Sequence, residues 1–88
     1  MGLMTVRLAT SLNNLALLYK AQGRYAEAEP LYQRSLAIRE KALGPEPPAV
    51  ATSLENYADL LRKTGRVSEA TKMETRAKAI RAKQASDN

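Results

Sequence analysis

Apolar residues in this chain recur with helical rather than strand spacing. Leu8, Leu12, Leu15 and Tyr19 are separated by four, three and four positions, which places them on one helical face. Gly23 follows as a stop signal. Ala28, Leu31, Ser35, Ile38 and Ala42 form the next stripe, widened by Tyr32 and Leu36. Pro30 falls in the second turn of that helix, where it removes one backbone bond and predicts a slight bend. The GPEPP run at 44–48 ends the helix and makes a stiff linker. Val50, Leu54, Tyr57, Ala58 and Leu61 then line a third helix, closed by Gly65, and Ala70, Met73, Ala77 and Ile80 line a fourth. The pattern predicts helices near 4–22, 25–43, 47–64 and 67–84, with a frayed tail at 85–88. Short loops between long helices predict antiparallel neighbours in an all-α fold.

The chain also repeats itself. Displaced by 42 residues, 9–42 matches 51–84 at sixteen positions, including Ser11/Ser53, Leu12/Leu54, Asn14/Asn56, Ala16/Ala58 and Arg39/Arg81. A repeat of this length marks a solenoid, in which each unit packs only on its neighbours. One domain over 1–88 is expected, with repeat one at about 2–43 and repeat two at about 44–84.

Composition narrows the chemistry. The 88 residues include no Cys and no His, which removes disulfides, thiolate nucleophiles, the usual zinc sites and imidazole catalysis. No acid–base or nucleophile constellation is present, so no enzyme activity, metal or cofactor is expected. The formal net charge of +5 is spread over both halves, which reads as solubility rather than a nucleic-acid surface. No apolar run approaches the roughly 18 residues that span a membrane. A cytoplasmic location suits the absence of Cys.

The pattern Leu12-x2-Leu15-Ala16-x2-Tyr19, Gly23-x-Tyr25, Ala28-x3-Tyr32 resembles the tetratricopeptide repeat. The 42-residue period, the NNLA run and the GPEPP linker are similar to the long-repeat branch that includes kinesin light chain. The resemblance implies two helix-turn-helix repeats forming a short α-solenoid, with Ala16 and Ala28 at a close helix crossing. Repeat two departs from it: Glu74 stands where repeat one has Tyr32, Lys78 where it has Leu36, and Leu61 where it has Tyr19. A charged outer face on the last helix reads as a cap.

The resemblance further implies a protein-interaction module that binds a peptide or partner protein on its concave face. Position by position, that face comprises Thr10, Asn13, Asn14, Leu17, Lys20 and Ala21, then Thr52, Glu55, Asn56, Asp59, Arg62 and Lys63. Asn14 and Asn56 fall where such proteins hold a peptide backbone, because an amide both donates and accepts. The same amides could instead bridge neighbouring helices. The family's carboxylate clamp wants Lys and Asn where this chain has Asn13 and Leu17, and Glu55 and Asp59 would repel a carboxylate. A basic or neutral ligand is expected. An alternative is a self-assembling unit. The first helix is apolar on more than one side, so Met4, Leu8, Leu12 and Leu15 are expected to meet another copy in a homo-oligomer.

Overall fold

The computed structural model describes residues 2–44 and 47–87. Four helices follow in order: α1 (Gly2–Ala21), α2 (Tyr25–Leu43), α3 (Pro48–Lys63) and α4 (Val67–Asp87). No strand occurs among the described residues. The helices expected from periodicity are all present. The last one runs on through Ala85 and Ser86 to Asp87, past its expected end, where a frayed tail was anticipated. Pro45 and Glu46 of the expected linker lie outside the described residues, as does Asn88. α2 runs unbroken through Pro30.

Both helix pairs turn in the same way. Gly23 (φ +77°) and Gly65 (φ +84°) adopt the left-handed conformation. At the first turn the Gly23 amide donates to Lys20 O at 2.9 Å and the Arg24 amide to Tyr19 O at 2.9 Å. At the second, Gly65 donates to Arg62 O at 3.1 Å and Arg66 to Leu61 O at 2.8 Å. Each is a Schellman cap that satisfies carbonyls the helix end would leave orphaned. The Arg24 guanidinium lies 4.3 Å from the Tyr19 ring centroid, so the first turn gains a cation–π contact as well. At the start of α3, Pro48 occupies the first helical position, where its missing N–H costs nothing.

α1 packs on α2, α2 on α3 and α3 on α4. The result is a plate measuring 37 × 32 × 16 Å, whose core lies between successive helices. Ala16 and Ala28 are both fully buried, as a close crossing requires. Tyr32, Leu54, Leu60, Leu61 and Val50 are the largest apolar side chains completely enclosed. The Ser35 hydroxyl ties the first pair by donating to Ala9 O at 2.7 Å.

α2 lies against both α1 and α3, so its inward side chains knit the repeats together. Tyr32 stacks on Tyr57 with ring centroids 6.4 Å apart. Gln33 donates to the Tyr57 hydroxyl at 2.8 Å, and that hydroxyl donates to Glu29 at 3.2 Å. Arg66 completes the cluster by pairing with Glu29. Arg39, only 7% exposed, donates to Ser53 Oγ at 2.7 Å, Ala49 O at 3.3 Å and Thr10 Oγ1 at 3.4 Å. One planar guanidinium therefore bridges α1, α2 and α3. Burial lowers the pKa of this guanidinium.

Candidate functional site

The α1 and α3 backbones approach each other, whereas α2 and α4 are joined through the side chains of an Arg76–Glu40 ion pair without their backbones meeting. The α1/α3 side is therefore the inner side of the curve, and the residues expected to line a groove lie along it. The structure sorts them into three groups.

The first group is used to join the two helices. Asn13 is buried, and its side-chain oxygen accepts a bond from Asn56 Nδ2 at 3.4 Å. Lys20 pairs with Asp59 at 2.5 Å. Hydrogen bonding to Lys20 holds the Asp59 carboxyl below its ordinary 3.8. Asp59 in turn adds to burial in pushing the Tyr32 phenol up to about 12. The Asn13–Asn56 contact thus bridges α1 and α3. Asn lacks charge, so a partly buried pair of amides costs less to enclose than an ion pair.

The second group turns toward α4. Glu55 receives two bonds from Arg81, both at 2.8 Å. Arg62 grips Glu74 in the same fork-to-fork manner, with Nε donating at 2.7 Å. Thr52 accepts from Arg81 at 3.2 Å and donates to Pro48 O at 3.1 Å. Glu55 and Asp59 were expected to favour a basic or neutral ligand, and both carboxylates are paired within the chain, Asp59 with Lys20 and Glu55 with Arg81. The Arg81 hydrogen bonds also lower the Glu55 pKa.

The third group is open. Asn14 is exposed and has no hydrogen-bond partner among the described residues. Leu17 is half-buried, resting on the core. Ala21 and Lys63 are exposed. The Thr10 hydroxyl is occupied, since it donates to Val6 O at 3.2 Å while accepting from Arg39. The inner face therefore offers an amide beside an apolar ledge, flanked by the Lys20–Asp59 pair. Such a surface can hold a peptide group and an apolar side chain.

The expected oligomer surface divides too. Leu12 belongs to the core at 9% exposure, because it faces α2 and not solvent. Met4's side chain lies outside the described part of the structure. Leu8 and Leu15 are exposed and share an outer face with Leu18, which is 53% exposed. Leu18 was visible in the sequence as one apolar residue too many for a single stripe. Arg39 was missed as a three-helix bridge, although its recurrence as Arg81 was a signal.

Among the described residues no helix is long and apolar enough to cross a membrane. A family model described as tetratricopeptide repeat matches residues 7–83. A comparison with curated proteins finds no match.

Proposed function

We propose, for a chain that belongs to the tetratricopeptide-repeat family, recognition of a partner protein through a short extended peptide laid along the α1/α3 face. Tetratricopeptide repeats are a non-catalytic fold that generally mediates protein–protein interaction, and the α1/α3 face is the surface we assign to that role. The observation that carries the reading is the open amide of Asn14 beside Leu17. A peptide passing there gains a backbone hydrogen bond and an apolar side-chain contact. With Glu55 and Asp59 paired internally, the favoured ligand is neutral and apolar rather than basic. The repeat length and linker favour the long-repeat branch similar to kinesin light chain. A cysteine-free composition suits action in the cytoplasm.

End-to-end self-assembly is a second reading, and the chemistry of α4 counts against it. Glu74 and Lys78 stand where an apolar stacking face would be needed.

The test is selection from a displayed random-peptide library on the full chain. Asn14→Ala and Leu17→Glu should each weaken the selected peptides about tenfold or more, with unchanged helical circular dichroism. Equal binding by both variants would overturn the groove assignment.

A further inference from the structure

The two repeats are each other's control, and one surface differs sharply between them. On α3, Val50, Ser53, Tyr57 and Leu60 are all buried, with exposures of 0, 1, 6 and 0%. α2 reaches this face, where Arg39 donates to Ser53 and Tyr32 stacks on Tyr57. Their counterparts 42 residues earlier are Leu8, Ser11, Leu15 and Leu18. The three leucines there are 43, 39 and 53% exposed, and Ser11 is exposed as well. The same type of face is thus sealed in one repeat and open in the other.

The molecule itself records what seals such a face. Glu29 meets Arg66 and the Tyr57 hydroxyl. Tyr32 stacks on Tyr57. Leu36 joins the same core cluster, and Arg39 donates to Ser53. Each receiving group on α3 has an equivalent on or beside α1: Arg24 for Arg66, Leu15 for Tyr57 and Ser11 for Ser53. We propose that the outer face of α1 is a docking site for a partner protein's amphipathic helix of α2's chemistry. That helix carries an acid, bulky apolar side chains three and seven positions on, and an arginine ten positions on.

Charge and geometry select this occupant over a second copy. α1 contains no acidic residue, while Arg7 lies on it and Arg24 just beyond it. Two α1 faces brought together would bring like charges together and give Arg24 no new carboxylate. The α2 of a second copy is already enclosed against its own α3. Its α4 offers Thr71, Glu74 and Lys78 at the positions of Glu29, Tyr32 and Leu36, which would bury two charges against leucines. An α2-like helix from a different protein supplies both the apolar knobs and the acid. Arg24 lies over Tyr19, donates to Gln22 at 3.2 Å and pairs with Glu27 across an exposed turn, and the exposed ion pair is weak enough to exchange.

The chain supplies its own probes. A fluorescein-labelled peptide of α2's sequence (residues 25–43) should bind the full-length chain saturably by fluorescence anisotropy. A peptide of α4's sequence (67–87) should not. Leu15→Glu and Leu18→Glu in the full chain should each weaken binding about tenfold or more. Asn14→Ala should leave it unchanged, which separates this face from the groove. Methyl resonances of Leu8, Leu15 and Leu18 should shift while those of Val50 and Leu60 stay in place. Absence of binding at about 1 mM, equal binding of both peptides, or indifference to the leucine changes would overturn the proposal. So would movement of Val50 and Leu60, which would mean the peptide had displaced the native α2. A dimer in sedimentation that Leu18→Glu dissociates would also overturn it, since the face would then belong to a second copy.

Discussion

At the scale of single residues, polar side chains here serve mainly to fix one helix against another. Asp59 illustrates the energetics. Its carboxyl is held below 3.8 chiefly by the hydrogen bond from Lys20, so the native state prefers the ionised form more strongly than the unfolded chain does. A depressed carboxylate contributes its stability in full above the unfolded pKa and loses it as pH falls through the lowered native value. Asp59 is about half exposed, so water screens the pair and the contribution is small. Asp59→Asn should lower the melting temperature slightly at pH 7 and have less effect at pH 2.5. Thermal scans at the two pH values check this, and an equal loss at both would mean that packing rather than charge is responsible. Arg39 makes a different kind of contribution. Its fork reaches neutral acceptors on α1 and α3, and the shape of the guanidinium matters there as well as its charge.

At the scale of elements, the repeat is a helix pair with a Schellman turn and an alanine crossing. Ala28 is completely buried and Ala26 two residues earlier is exposed. Intrinsic helix propensity treats leucine alike at both places. Ala28→Leu should therefore cost about 1–3 kcal/mol through overpacking, whereas Ala26→Leu should stay within about 0.5 kcal/mol of the parent. Urea denaturation followed by circular dichroism measures both, and equal midpoints would contradict the close crossing. The turn glycines work through backbone conformation alone. A side chain at Gly23 or Gly65 would meet nothing within 4 Å, so only the positive φ calls for glycine there.

At the scale of the whole molecule, a plate of four helices leaves its end helices covered on one side. α4 meets this with charge: Lys72 and Lys78 stand exposed on it. α1 does not, and three leucines remain in water. The asymmetry can be measured without any partner. Leu60→Glu should unfold the chain, because it would put a carboxylate into a fully buried site. Leu18→Glu, at the equivalent position, should leave stability within about 0.5 kcal/mol. Comparable destabilisation of the two variants in the same denaturation experiment would show that the outer face of α1 is covered within the chain.

The sequence by itself determined the four helices, their order, the two-repeat plan and the crossing alanines. These features are encoded locally: the 3.6-residue period fixes the buried face, and glycine fixes the turn. The tertiary structure decided which polar groups remain open. Asn13, Asn14, Glu55 and Asn56 look alike in a repeat alignment as candidates for ligand contact. Glu55 is claimed by Arg81, 26 residues away, and Asn56 by Asn13, 43 away. Lys20 reaches Asp59 across 39 residues. Leu8 and Val50 occupy equivalent positions, yet one is exposed and the other sealed. No helical period carries that information. It depends on which helix lies alongside and how far a long side chain can reach, and those distances exist only once the helices have packed.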